Sequence, residues 1–175
     1  MTIQISWLPR PAGRRPWRPE GPGHEQKEKT MIFHINRATY KAGLSEEQRR
    51  AGVEMLRQSG AVNPAVKSYV VGPELGGEFE YGAVYVFEDL DGYWAYLNHP
   101  VHVREELWGI PHLEKFAAMD VSDSGDPELG EKIAALQARN YQEHPELAAL
   151  VAQAASFTVP DRTGQPAAAG GQAEA

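Results

Sequence analysis

The stretch Tyr96-Leu97-Asn98-His99-Pro100-Val101-His102-Val103 sets a phenol and two imidazoles around a forced break in the chain, between Trp94 and Trp108. Proline has no backbone N–H and pushes the residue before it out of the helical region, so one helix ends near Asn98 and Pro100 opens the next. Imidazole titrates near neutrality and suits removal of a proton beside a carbonyl, and a phenol offers a donor where charge develops on oxygen. The plainer alternative for these side chains is that they tie the second helix to the sheet. His99, next to the proline, reads best as a cap at the break, and His112 and His144 read as surface residues.

Other chemistries drop out. His99 and His102 are three apart, and His34, His112 or Glu105 are the candidates to complete a metal site, but the intervening proline spoils the helical geometry that would align the two histidines. The sequence predicts no metal and no cofactor. The glycines of Gly72-Pro73-Glu74-Leu75-Gly76-Gly77 join two strands and carry a glutamate where a phosphate would sit, so they form no nucleotide cradle. No serine lies in a nucleophile-elbow pattern. The absence of cysteine excludes a thiol nucleophile, a disulfide framework and a cysteine-ligated zinc.

The elements that must carry these residues follow from periodicity. Met31 to Tyr40 alternates as a strand, with Phe33 and Ile35 on one face and His34, Asn36 and Ala38 on the other. Ser45-Glu46-Glu47-Gln48 is a capping-box pattern opening a helix to about Gly60. Strands are predicted at about 65–71 and 81–87, short helices from Asp89 or Asp91 to Asn98 and from Pro100 to Trp108, and a last strand at 116–121. The third strand, Gly82-Ala83-Val84-Tyr85-Val86-Phe87, is nearly continuous in apolar residues and so needs cover on both faces of the sheet. After Asp126-Pro127 come two helical stripes, Leu129, Ile133 and Leu136, then Leu147, Leu150, Val151 and Ala154. The resulting division is a leader at 1–30, a β-α-β-β-α-α-β domain at 31–124, a helical extension at 125–158 and a tail at 159–175.

The chain's 175 residues carry a net charge of −7, with 24 acidic against 17 basic side chains. Residues 1–30 hold five of the 13 prolines and a net of +3, which leaves −10 on the rest. That balance argues against a nucleic-acid partner, and no stretch of ~18 apolar residues is available to span a membrane. The leader and the Gly/Ala/Gln-rich tail read as disordered. Lys27-Glu28 can be encoded AAG-GAG, a ribosome-binding sequence just upstream of Met31, so Met31 is the expected native start; composition and the lack of a signal-peptide pattern make a cytoplasmic location the expected one.

Strand one with His34, the helix-strand-strand order, the Phe87-Glu88-Asp89 exit and the Tyr-x-x-His-Pro-x-His motif at 96–102 together resemble the stress-responsive dimeric α/β-barrel (Dabb) family, over about residues 31–121. The resemblance implies an α+β, ferredoxin-like subunit: a four-stranded antiparallel sheet with helices on one face, paired through the other face as a homodimer. In olivetolic acid cyclase-type members it implies cofactor-independent aldol cyclisation of a polyketide, with the chemistry on Tyr96 and His102 and a pocket histidine at His34. On that basis His102 is the expected general base, Tyr96 the donor and His34 an orienting or relaying group. Asn36, Ala38, Tyr85, Glu105, Trp108 and Phe116 are the expected walls of a small-molecule site. Asn36, Gly52 and Glu105 stand where the cyclase pocket is apolar or aromatic, which predicts a more polar substrate. The expected function is a small-molecule-binding cyclase or isomerase, in the setting of bacterial secondary metabolism. Two alternatives are a non-catalytic, stress-associated homodimer and a cofactor-free monooxygenase of a phenolic substrate that would use Asn36 and Trp94.

Overall fold

The computed structural model describes residues 30–154 and 157–158, so the leader, apart from Thr30, and the tail lie outside the described residues. The order runs β1 (Ile32–Tyr40), α1 (Glu46–Val62), β2 (Ser68–Pro73), β3 (Tyr81–Phe87), α2 (Leu90–Leu97), α3 (Pro100–Gly109), a 3₁₀ turn at Ile110–His112, β4 (Leu113–Ser122), α4 (Leu129–Glu143) and α5 (Pro145–Gln153). The strands pair antiparallel as β2-β3-β1-β4, which is the expected ferredoxin-like sheet. A two-residue strand β5 (Phe157–Thr158) joins β4 in parallel, at positions read from the sequence as the end of the helical extension.

Local chemistry sets the element ends. The Ser45 side chain accepts the N–H of Gln48 while the Gln48 side chain accepts the N–H of Ser45, a reciprocal cap that starts α1. Asp89 caps α2 through the N–H of Gly92, and His99 caps α3 through the N–H of Val101, as its place before Pro100 predicts. β2 starts three residues later than predicted because the Asn63 side chain accepts the N–H of Ala65 and its carbonyl that of Val66, which holds both in a turn. α4 starts at Leu129, and Asp126 accepts the N–H of Glu128 in the turn ahead of the helix.

The alternation of β1 divides the sheet into two faces. His34, Asn36, Ala38 and Tyr40 are buried beneath the helices, while Phe33, Ile35 and Arg37 point to the open side. On the helical side, Ile32, Ala83, Tyr85 and Phe87 form one core with Tyr93, Tyr96 and Leu97 of α2 and Ile133 of α4. On the open side the register aligns Val70, Val84, Ile35 and Met119 in one row and Val86, Phe33 and Val121 in the next. Val70 is 63% exposed and Val121 54%, so a single chain leaves this apolar face uncovered. At one end the β2–β3 loop folds onto Arg37, whose guanidinium makes two 2.7 Å bonds to Glu74 and lies 4.3 Å from the Phe79 ring centroid. The glutamate of the glycine-rich stretch is thereby committed to Arg37. The loop also contains Gly76, at φ +81°, a backbone conformation that favours glycine.

Candidate functional site

A cavity of about 70 Å³ lies between the helical face of the sheet and α3, α4 and α5, bounded by His34, Asn36, His102, Glu105, Glu106 and Phe116 among others. A smaller one, of about 40 Å³, adjoins it along Asn36, Glu105 and Phe116 and reaches Ala38, Gly52 and Trp108. Of the nine residues singled out in the sequence, seven therefore line these two spaces. Tyr85 and Tyr96 do not: both are fully buried in the core beneath, and the Tyr85 hydroxyl donates to the carbonyl of Leu56 at 2.8 Å.

His34 is placed by strand register. It pairs directly with Asp120 across β1 and β4, and its Nδ1 lies 2.9 Å from the Asp120 carboxylate. In the tautomer that places a proton on Nδ1 toward the carboxylate, Nε2 is the accepting nitrogen, and Nε2 has no hydrogen bond among the described residues. The Tyr93 hydroxyl, 3.2 Å from Nδ1, is held in turn by Gln137, whose Nε2 donates to it at 2.8 Å. Burial first, and then the nearby Asp120 charge, keep the Tyr93 phenol well above the usual tyrosine range.

His102 occupies a different electrostatic setting. Its Nδ1 lies 3.4 Å from Glu105 and its Nε2 3.5 Å from Glu106, the i+3 and i+4 neighbours on α3. Burial pulls its pKa down, but the charge of Glu106 and the hydrogen bond and charge of Glu105 outweigh it, so His102 titrates above its ordinary value. Glu106 is itself raised, chiefly by burial, against the attraction of His102. Glu105 also accepts a 2.6 Å bond from the buried Ser59 hydroxyl. Beneath this cluster the Tyr96 ring stacks on His102 at 4.2 Å between centroids, tilted by 32°. The Tyr96 hydroxyl faces the Tyr85 hydroxyl without reaching hydrogen-bond geometry, and burial drives its pKa far up.

The remaining expectations find their places. Trp94 packs against the core under the guanidinium of Arg139, 4.1 Å away, and borders neither cavity. His112, expected at the surface, is instead half-buried, stacked on Trp108 with 4.4 Å between centroids and 2.6 Å from its carbonyl. His144 is likewise half-buried, at the α4–α5 junction. No cluster of three or more metal-ligating side chains occurs among the described residues.

Sequence reasoning missed Asp120, Tyr93, Glu106 and the α4 residues. Two of these had a signal. Asp120 falls in phase with Phe116 and Ala118 on the inward side of β4, where an acid is out of pattern, and Glu106 stands four residues after His102 on a helix.

The model of the stress responsive A/B barrel domain (Dabb) matches residues 32–123, more than half of the chain. The chain belongs to this family. Among solved structures, a dimeric ferredoxin-like protein of unknown function from Thermobifida fusca is 25% identical over 54% of this chain and 92% of its own, with a TM-score of 0.49. The hydroxynitrile lyase of Passiflora edulis is 17% identical over 55% of this chain and 95% of its own, with a TM-score of 0.50, a likeness of fold. No curated protein matches the sequence. The Dabb match ends at residue 123, so α4 and α5 lie beyond the family unit although they close its cavity. No helix among the described residues is long and apolar enough to cross a membrane.

Proposed function

We propose that this Dabb protein binds a small, polar carbonyl compound in the cavity and moves protons on it by side-chain acid/base chemistry, as a cofactor-independent cyclase, lyase or isomerase. The observation that carries the reading is the pairing of two unlike histidines on one cavity. His34, with Nδ1 on Asp120 and Nε2 unengaged, is built as a base. His102, flanked by two carboxylates, favours the imidazolium and serves as the acid of the pair, one of its long contacts of 3.4 and 3.5 Å to Glu105 and Glu106 giving way to a ligand carbonyl oxygen. This reverses the roles expected from the sequence for the two histidines, and it makes Tyr96 a positioning residue that holds the plane of His102. Neighbouring titratable groups set apart in this way are how one site provides both an acid and a base at neutral pH. Asn36, Glu105 and Glu106 favour a polar ketone over a polyketide with a long alkyl chain.

Support for a homodimer comes from the open face, whose two apolar rows need a covering surface that a second copy's identical face would supply. The cytoplasmic setting rests on the sequence reading alone.

Exchange of the methylene protons of hydroxyacetone for deuterium, followed by proton NMR, tests the chemistry without knowledge of the natural substrate. Wild type is expected to accelerate exchange, and His34→Ala and Asp120→Asn to lose most of the acceleration, since a positioned base contributes about 10²–10⁴-fold. Equal rates with wild type, with His34→Ala and without protein would leave the non-catalytic binding dimer as the function.

A further inference from the structure

The inward stripe of α4 changes character along its length. Leu129, Ile133 and Leu136 pack on the core, as an amphipathic helix requires. One turn further on, Gln137, Asn140 and Tyr141 continue the same stripe at i, i+3 and i+4, and all three border the cavity. Asn140 is 2% exposed and bonded to the carbonyl of Leu97, and Gln137 is bonded to Tyr93. Tyr141 is half-buried on the cavity wall. Polar side chains on the inner face of a helix stand where packing alone would select leucine, and the change coincides with the cavity wall.

Across the cavity stand acceptors with capacity for a further donor, the Glu106 carboxylate among them although His102 lies 3.5 Å away. The Oε2 of Glu106 and the Oδ1 of Asn36 are buried without hydrogen-bond partners. Three carboxylates, Glu105, Glu106 and Asp120, surround two histidines, so the site keeps a negative balance even when His102 is charged. A bound carboxylate would add to that charge in a place with little water.

We infer that α4 is a working wall of the ligand site, and that Tyr141 with Glu106 selects a small carbonyl compound bearing a hydroxyl or amino donor over one bearing a carboxylate. The inference rests on the proposed function for the carbonyl, but its own content is the donor group and the helix that reads it. Tyr141 donates to a ligand oxygen, and Glu106 and Asn36 accept from the ligand's hydroxyl or amine. A space of about 70 Å³ suits a molecule of a few heavy atoms, since a single water needs about 10–15 Å³ by the same measure.

Hydroxyacetone and pyruvate are near-isosteres that differ in this property. Saturation-transfer NMR with the full chain reads their binding without turnover. Hydroxyacetone is expected to bind and pyruvate not to compete with it. Tyr141→Phe is expected to weaken hydroxyacetone by about two- to tenfold, the loss of one hydrogen bond, at an unchanged melting temperature. Glu106→Gln is expected to let pyruvate compete. Pyruvate competing equally in wild type, or hydroxyacetone bound as well by Tyr141→Phe as by wild type, overturns the inference. A protein that binds hydroxyacetone through Tyr141 but exchanges no deuterium overturns the proton-transfer function and upholds this one.

Discussion

Replacing Tyr96 by phenylalanine should stabilise the protein, contrary to the usual cost of core substitutions. The ring is fully buried in contact with Tyr85, Phe87 and His102, while its hydroxyl faces the Tyr85 hydroxyl without reaching hydrogen-bond geometry. An unsatisfied buried hydroxyl costs about 1–3 kcal/mol in lost solvation, which Tyr96→Phe removes. Against this, the vacated oxygen leaves a void on the order of 15 Å³, which at about 24 cal/mol per Å³ costs about 0.4 kcal/mol. The net is a gain of about 0.5–2.5 kcal/mol, or a rise in melting temperature of roughly 2–10 °C for a domain of this size. Urea titration should show a higher midpoint at an unchanged slope. Destabilisation of about 1 kcal/mol or more would refute the reasoning, because it would mean that the hydroxyl is hydrogen-bonded in the folded protein. The same variant informs the site: added stability together with slower deuterium exchange in hydroxyacetone would mark the hydroxyl as a functional group held at a cost to the fold.

The buried His102 and Glu106 give a pH dependence of definite sign. Both titrate above their ordinary values of 6.5 and 4.5, so the folded state binds more protons than the unfolded chain and stability falls with rising pH. The His102 contribution is complete below pH 6.5 and is lost as pH rises through its folded value; that of Glu106 is complete below 4.5 and declines above it. The pairs of Glu74 with Arg37 and Asp126 with Lys132 lower their carboxylates and act oppositely, but below that window. Urea midpoints at pH 5 and pH 8 should differ in wild type and converge in Glu106→Gln; no convergence would show that the cluster is not the source. At Gly52 a Cβ would meet the Tyr40 hydroxyl and lie 2.6 Å from the Trp108 ring, so Gly52→Val should lower stability by about 1–3 kcal/mol by denaturant unfolding. Ile35→Glu puts a charge at the centre of the open face. Sedimentation at micromolar concentration should shift from a dimer to a particle near 19.3 kDa, and a wild type already at that mass would rule out the dimer.

Local rules made much of this protein legible before its fold was known. Alternation in β1 put His34 and Asn36 on one face, Ser45 and Asp89 announced their helices, Pro100 marked the break, and the motif at 96–102 led to the family. These depend on neighbours along the chain, whose geometry the backbone period dictates. The site's chemistry depended on partners far apart in sequence. Asp120 reaches His34 across 86 positions only because β1 and β4 pair in one register, and a slip of one residue would turn it to the open face. The spacing of Glu105 and Glu106 after His102 is local, but the stacking of Tyr96 under His102 and the burial that shifts the proton affinities of the cluster follow from packing alone. Periodicity announced α4 as a helix in search of a surface; the tertiary structure laid its polar turn against the cavity, and with that an appendage became part of the cavity wall.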